Sequence, residues 1–173
     1  MVADELPRYQ EGTYMYPRNY FQLFPPFPRE EKVFVAMSFD TRFDACWNQV
    51  IIPAIQAVHV NDVPLQPHRV DTHRIIRDSI LTEILGGITN DRVIFADITS
   101  LGQLDSKPVH SSNVMYEVGL AHAVRLPEEV ILFRADTDFL LFDVANVRVN
   151  TYDPDHDSDS ARAWVTEARV LSK

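Results

Sequence analysis

The amino-acid sequence predicts an α/β protein with an open, flavodoxin- or Rossmann-like parallel sheet of about five strands and helices on both faces. Two observations support this fold class. Short, nearly continuous apolar runs, such as residues 32–37 and 92–96, are typical of strands that are covered on both faces. Stretches with apolar residues at helical spacing lie between these runs, and such alternation favours parallel strands joined by right-handed crossovers.

Five segments have the pattern of strands. Most are apolar runs, and the last alternates in the way that an edge strand does. In chain order they cover residues 32–37, 65–70, 92–96, 130–133 and 147–152.

Four segments between and after these strands have the pattern of helices. They cover residues 43–58, 75–88, about 112–124, and the chain from about 158 onwards. Pro53 should kink or divide the first helix, and Gly86 with Gly87 predicts a ragged end for the second. Ser111 or Ser112 can cap the third. The fourth reaches the last residue without a terminating signal, which leaves open that the chain is part of a longer protein.

Composition narrows the range of partners. The 173 residues, 46% hydrophobic and 24% charged, are typical of one soluble domain with an appended arm. A formal net charge of −9 argues against a nucleic-acid partner, which would require clustered Lys and Arg. The single cysteine, Cys46, excludes an internal disulfide and a multi-cysteine metal site. Because we find no signal peptide and no apolar run of about 18 residues, we expect a cytoplasmic protein with no membrane partner.

Residues 1–30 differ from the rest of the chain. They contain four of the six tyrosines and five prolines, a proline density that excludes a helix or a central strand. We expect an extended aromatic arm over residues 1–30 that packs on the domain or on a second subunit, followed by the α/β domain at residues 31–173. A peptide-binding surface is the alternative function for the arm.

The ligand site of such a sheet lies outside the carboxyl ends of the strands, where the strand order reverses. With the flavodoxin-like order 2-1-3-4-5, this crevice falls between the first and third strands. The loop at residues 98–111 borders it and exceeds the usual length of about 2–6 residues, which is commonly a sign of function. The chemistry-bearing residues delivered there are Met37, Ser38, Phe39, Asp40, Asp71, Asp97, Thr99, Asn113 and Glu117.

Glu117 is the most informative of these residues. It shares a helix face with Asn113, four residues earlier. A surface acid that complements the helix dipole is the alternative for Glu117, and a turn cap is the alternative for Asp97 and Asp71. However, apolar residues surround Glu117, and Gly119, which costs about 1 kcal/mol of helix propensity, favours a close approach by a ligand. We therefore expect Glu117 to face Asp97 across the crevice.

Metal-binding patterns are missing from this part of the sequence. No histidine or cysteine pair near the crevice has the spacing of a metal site, so we expect neither a metal nor a cofactor. His68 and His73 flank Asp71, and we expect both histidines at the surface.

Three segments resemble the signature segments of the nucleoside 2-deoxyribosyltransferase-like superfamily, which is similar in fold to TIR-like nucleotide-binding domains. They are KVFVAMSF at residues 32–39, VIFADIT at 93–99 and NVMYEVGLAHA at 113–123, of which the last is the most specific. The resemblance covers roughly residues 31–152. It implies cleavage of an N-glycosidic bond by a hydrolase or pentosyltransferase, with Glu117 as the nucleophile that attacks the anomeric carbon.

The resemblance also implies roles for the neighbours of Glu117. Asp97 and Asp71 match strand-end acids that contact the sugar or help to protonate the departing base, and residues 37–39 would line the base or sugar pocket. A nucleoside, a nucleotide or a nicotinamide dinucleotide would be the substrate, and a homodimer the assembly. The chain departs from the transferases at residues 107–112, where they usually carry an aspartate-rich loop.

The implied chemistry is physically reasonable. Breaking the bond from sugar to base builds positive charge on the anomeric carbon, which an ionised carboxylate can stabilise or capture. The N–H groups of a helix start should favour that ionised form of Glu117. The alternatives are a non-catalytic module that senses a nucleotide or signals in the manner of a TIR-like domain, and a structural interaction domain built on the aromatic arm.

Overall fold

A computed structural model describes residues 29–70, 80–140, 144 and 147–152. Most of the aromatic arm, the last predicted helix, Asp71 and His73 lie outside these residues. The strands, in chain order, are β1 (Glu30–Ala36), β2 (His59–Val60), β3 (Val63–Pro64), β4 (Gln66–His68), β5 (Asp91–Asp97), β6 (Gly102–Leu104), β7 (Lys107–Val109), β8 (Val130–Arg134) and β9 (Val149–Thr151).

Three longer helical segments lie between these strands. The first, α1, comprises four consecutive pieces, and the other two are regular α-helices. They are α1 (Thr41–Phe43, Asp44–Cys46, Trp47–Ile51 and Ile52–Gln56), α2 (Ile80–Asn90) and α3 (Ser112–Val124), and a short 3-10 turn follows at Pro127–Glu129. Within the described residues, no helix is long and apolar enough to cross a membrane.

The described strands include a five-stranded sheet with the order β4-β1-β5-β8-β9, in which all neighbours are parallel. Numbered along the chain, this is the predicted order 2-1-3-4-5, so the α/β open-sheet fold class is confirmed. Residues of α1 pack on one face, and residues of α2 and α3 pack on the other. Successive residues of β5 therefore alternate between two cores, Val93 and Phe95 on the α1 side and Ile94 and Ala96 on the α3 side.

Pro53 interrupts the hydrogen-bond ladder of α1 without ending it. Immediately before the α-helical piece that contains Pro53, the chain forms a π-helical stretch, Trp47–Ile51. Proline has no N–H group for an i→i−4 bond, so a local change of helix type is the expected result. The effect of Pro53 is therefore a change of helix type before it, and the helical structure continues through Pro53 to Gln56.

Gly87 lies inside α2, which continues to Asn90. A Cβ atom at Gly87 would lie 2.3 Å from Cδ2 of Phe34, so glycine allows α2 to approach the sheet closely. The predicted ragged end at Gly86 and Gly87 is therefore wrong. Close packing outweighs the helix-propensity cost of about 1 kcal/mol for a glycine.

The predicted loop at residues 98–111 contains an antiparallel hairpin, β6–β7. Asp105 and Ser106 occupy its two-residue turn with φ angles of 50° and 61°. The amide of Leu101 donates a hydrogen bond to the Val109 carbonyl across the base of the hairpin. The long connection is therefore ordered by its own backbone hydrogen bonds.

His68 is partly buried, so the prediction that it lies at the surface is wrong. Its Nδ1 atom lies 2.7 Å from Oδ2 of Asp91, a residue that is almost completely buried at the start of β5. The hydrogen bond to Asp91 raises the pKa of His68, and burial raises the pKa of Asp91. Both shifts favour retention of the proton that the pair shares.

Arg125 connects the elements at the edge of the sheet where β5 begins. Its side chain is completely buried just after α3. The guanidinium donates hydrogen bonds of 2.7–2.8 Å to the carbonyl oxygens of Ile88, Asp91 and Arg92, and to the Glu129 carboxylate. The end of α2, the start of β5 and the end of α3 are thus joined through one side chain.

Candidate functional site

The strand order reverses between β1 and β5, because β4 continues the sheet beyond β1 and β8 continues it beyond β5. In an open α/β sheet, this reversal point marks the ligand crevice at the carboxyl edge. The predicted residues Met37, Ser38 and Phe39 follow β1 there, and Thr99 follows β5. The helix α3 begins at the same edge because it returns from the end of β5.

The residues after β1 differ in their accessibility. Met37 is buried in the core on the α1 side, so it supports the crevice from within. The Ser38 hydroxyl accepts a hydrogen bond of 3.2 Å from the Asp40 amide. The Phe39 side chain is 46% exposed and is available to a ligand.

Asp40 caps the first turn of α1. Its carboxylate accepts hydrogen bonds of 3.0 Å from the amide of Arg42 and of 2.9–3.0 Å from the Arg42 guanidinium. The side-chain hydrogen bond from Arg42 lowers the pKa of Asp40. Asp40 is therefore an ionised capping residue, and its carboxylate is already neutralised by Arg42.

Asp97 is almost completely buried, and its carboxylate accepts three hydrogen bonds. The amide and the hydroxyl of Thr99 donate to Oδ1 at 2.9 and 2.5 Å, and the Tyr152 hydroxyl donates to Oδ2 at 2.6 Å. Burial raises the pKa of Asp97, although the hydrogen bonds from Thr99 and Tyr152 act in the opposite direction. The Thr99 hydroxyl also accepts a hydrogen bond of 2.9 Å from the Ala135 amide. Asp97 and Thr99 therefore form a structural junction.

The side chain of Asp97 lies on the α1 side of the sheet. It shares this direction with Val93 and Phe95, and its partner Tyr152 belongs to the same core. The helix α3, which carries Glu117, packs on the other face. The structure therefore does not place Asp97 opposite Glu117 as the sequence led us to expect.

Glu117 is partly buried in the second turn of α3. It has no hydrogen bond or ion pair within the part of the chain that the structure describes. Burial alone raises the pKa of Glu117 to about 7. The expected stabilisation of the ionised form by helix N–H groups does not dominate, because Glu117 lies six residues beyond the N-cap Ser111 and the dipole effect fades within the first turn.

The other predicted features of α3 are present. Ser111 caps the helix by accepting a hydrogen bond from the Val114 amide, which confirms one of the two predicted caps. Asn113 is exposed one turn before Glu117. A Cβ atom at Gly119 would meet no heavy atom within 4 Å, so packing within the described chain does not explain this glycine.

His110 is a site residue that the sequence did not single out. Its Nδ1 donates a hydrogen bond of 2.8 Å to the Ile98 carbonyl, which fixes the ring next to the start of α3. Its Nε2 atom is buried and has no hydrogen-bond partner among the described residues. The departure from the family pattern at residues 107–112 was the available signal, but a lone histidine there has no recognisable spacing.

Arg69 is a second residue that the sequence did not single out. It follows β4 and donates a hydrogen bond of 2.9 Å to the Ser38 carbonyl. The guanidinium carbon lies 4.1 Å from the ring centroid of Phe39 and 5.2 Å from that of Trp47. The carboxyl edge of β1 and β4 therefore carries an oriented cation beside an exposed aromatic ring.

The described residues, 29–70, 80–140, 144 and 147–152, contain no cluster of three or more His, Cys, Asp or Glu side chains that could bind a metal ion. Among known proteins, no family model matches the chain and no curated protein matches it. The resemblance to the nucleoside 2-deoxyribosyltransferase-like superfamily therefore rests on the three segments around β1, β5 and α3.

Proposed function

We propose that the protein cleaves the N-glycosidic bond of a nucleoside or nucleotide, with Glu117 as the nucleophile. The main support is the environment of this side chain. A carboxyl group partly withdrawn from water, without an ion pair among the described residues and with a pKa raised to about 7, is costly to the folded chain when ionised. Perturbed carboxyl groups of this kind cluster at functional sites. The segment NVMYEVGLAHA, which contains Glu117, supports the reaction class.

The proposed reaction begins with the ionised form of Glu117. With a pKa of about 7, about half of the molecules carry this form at neutral pH. The carboxylate attacks the anomeric carbon while the bond to the base breaks, and the base leaves with the bonding electrons and takes up a proton. Water or a second base then attacks the same carbon, and the carboxylate is released. Partial burial strengthens the attraction between the carboxylate and the developing positive charge.

Asp97 has a supporting role in this proposal. Both of its oxygens are engaged by Thr99 and Tyr152, so it holds the loop after β5 in place. The resemblance implies that Asp97 contacts the sugar or the departing base. The position of its carboxyl group on the α1 side instead favours a role in holding the loop after β5. Among the residues predicted to bind the ligand, Asn113 and Phe39 are exposed and Ser38 is partly exposed, so their side chains are accessible to a ligand.

A nucleotide-sensing module is the second candidate function. One observation favours it: burial is the only cause of the pKa shift at Glu117, so no second carboxyl among the described residues influences this group. A reaction that needs a paired acid would then lack it among the described residues on this side of the sheet. In this case the ligand binds intact, and Glu117 accepts a hydrogen bond from it.

The two candidates are separated by a substrate panel of purine and pyrimidine nucleosides, their monophosphates and nicotinamide dinucleotide. Released base is measured by chromatography for the wild type, Glu117→Gln and the control Glu83→Gln, which alters an exposed acid of α2. We expect release by the wild type and the control, and a loss of at least about 10³-fold in Glu117→Gln. Undiminished release by Glu117→Gln would contradict the enzymatic proposal.

Thermal unfolding in the presence of the same compounds tests the alternative. A ligand that raises the melting temperature and is recovered intact supports a sensor. If no compound is cleaved and none changes the melting temperature, both candidates fail.

A further inference from the structure

We propose that the His68–Asp91 pair is a pH-sensitive joint, which holds the edge strand β4 and the adjoining rim of the crevice in place as long as the pair keeps its shared proton. The rim consists of Arg69, the residue after β4, and its contact Phe39. The joint is a property of the fold, so it does not depend on the N-glycosidase proposal.

The first support is the short backbone attachment of β4. This strand has three residues, Gln66–His68, and β1 is its only neighbour among the described strands of the sheet. Its central residue, Pro67, has no N–H group and cannot donate a hydrogen bond to β1. A side chain that ties β4 to the interior therefore adds to a backbone ladder of few hydrogen bonds.

The second support is the path of the His68 side chain. It reaches past β1 to the start of β5, where its Nδ1 atom lies 2.7 Å from Oδ2 of Asp91. The imidazole packs edge to face on the Phe34 ring of β1, with the ring centroids 5.8 Å apart. A Cβ atom at Gly87 of α2 would lie 3.1 Å from its Cε1 atom. The pair thus joins the edge strand to the central strand between β1 and α2.

The third support is the burial of the carboxylate. The side chain of Asp91 is 2% exposed and that of His68 is 25% exposed, so solvent reaches the imidazole but hardly the carboxylate. Among the described residues, the charged groups that act on the pair are Lys32 and Glu30 of β1 and Glu83 of α2, and the Arg125 guanidinium donates to the Asp91 carbonyl. Lys32 is paired with Glu30 at 2.6 Å, so His68 is the cation that matches Asp91.

The proton of the pair depends on the pH. The hydrogen bond to Asp91 raises the pKa of His68 above its ordinary value of 6.5, and burial raises the pKa of Asp91. The folded chain therefore binds the shared proton more tightly than the unfolded chain. The stability that the pair contributes is fully present below the ordinary pKa of His68, and it is lost as the pH rises through the raised pKa.

Loss of this proton acts on the position of β4. Asp91 then keeps a negative charge in a buried place opposite a neutral imidazole, and an ionised carboxylate without a matching cation is costly there. Movement of β4 away from β1 admits water to Asp91 and lowers this cost. Because Arg69 follows β4 directly, the same movement separates it from Phe39 and changes the rim of the crevice.

Hydrogen–deuterium exchange of the full chain, corrected for the intrinsic exchange rate, measures such local opening. Between about pH 6 and about pH 9, the protection of residues 59–70 in the wild type should fall at least about threefold more than that of β5. The double variant His68→Gln with Asp91→Asn replaces both titrating groups by amides and should lose this difference. His59→Gln, which alters an exposed histidine of β2, is the matched control and should behave as the wild type does.

An NMR titration of the wild type gives a second measurement that needs no variant. The ring signals of His68 should titrate with a midpoint above 6.5, and the ring signals of Phe39 should shift with the same midpoint. This titration decides the question if the double variant does not fold.

Three outcomes would overturn the proposal. One is an equal change of protection in the wild type and the double variant, and another is a fall of protection that is as large in β5 as in residues 59–70. The third is a titration of His68 that leaves the Phe39 signals unchanged. Glu117 has a pH dependence of its own, but it is present in every protein compared and cancels from the differences.

Discussion

The Tyr152 hydroxyl donates a hydrogen bond of 2.6 Å to Oδ2 of Asp97, although the two residues are 55 positions apart. This bond ties the segment after β9, at the outer edge of the sheet, to the end of β5 at its centre. The Cys46 sulfur lies 3.2 Å from the same hydroxyl, so its thiol supplies the proton for that contact. Burial raises the pKa of Cys46 to about 11, which keeps it a thiol at neutral pH.

We expect Tyr152→Phe to lower the free energy of unfolding by about 1–3 kcal/mol, because Asp97 would lose a donor in a buried position. Urea denaturation measures the change. Tyr116→Phe is the control, since Tyr116 is 53% exposed, and its effect should stay within about 0.5 kcal/mol. Equal effects of the two substitutions would show that the bond to Asp97 contributes nothing to stability.

Glu117→Gln should remove a pH dependence of stability. The pKa of Glu117 is about 7 in the folded chain against an ordinary 4.5, so the folded state binds the proton more tightly than the unfolded state. The free energy of unfolding of the wild type should therefore fall as the pH rises between these two values. The loss is at most about 3 kcal/mol and is reduced by the remaining contact of the carboxyl with water.

Urea denaturation of both proteins at about pH 5 and about pH 8 measures this dependence. Glu117→Gln should gain stability relative to the wild type at the higher pH. A difference between the two proteins that stays constant with pH would show that Glu117 has no raised pKa.

The rate of base release should distinguish a nucleophile from an acid at Glu117. A nucleophile works in its ionised form, so kcat/KM should rise with pH, reach half its maximum at about pH 7 and then level. A group that donates a proton would give a rate that falls above the same midpoint. The test is the pH profile of kcat/KM on the best substrate of the panel, and a falling limb centred there would contradict the nucleophilic role.

Adjacent glycines of α2 should respond in opposite directions to alanine. Gly87→Ala places a Cβ atom within 2.3 Å of the Phe34 ring, and we expect a loss of about 1–3 kcal/mol in the free energy of unfolding. Gly86→Ala meets no atom within 4 Å and should stabilise the helix by about 0.5–1 kcal/mol. Thermal and urea unfolding of the two variants test this pair, and a stable Gly87→Ala would mean that α2 can move away from the sheet at little cost.

Much of the fold could be predicted because each signal was local. The apolar runs that became β1, β5 and β8 require only burial on both faces, and Ser111 at the start of α3 is an ordinary cap. The strand order 2-1-3-4-5 was expected from the alternation of strands and helices together with the known geometry of such sheets. The position of Glu117 on α3 followed from the same alternation.

The remaining features depend on contacts that are distant in sequence. The hairpin β6–β7 turns at Asp105 and Ser106, a pair without the glycine that usually marks such a turn. The direction of the Asp97 side chain depends on which face of β5 is covered by α3, and its partner Tyr152 follows a different strand. The pKa of Glu117 is set by burial, which the position of a residue near a helix start does not reveal.

Arg125 gathers its hydrogen bonds at the edge of the sheet opposite the crevice, where it holds α2, β5 and α3 together. Under the proposed function, the two edges of the sheet therefore have different roles. Under the proposed function, substitutions around Phe39 and Asn113 would change the choice of ligand while the hydrogen bonds of Arg125 at the other edge stay intact. A substitution of Arg125 would instead reduce the amount of folded protein in the cell, whatever ligand the crevice accepts.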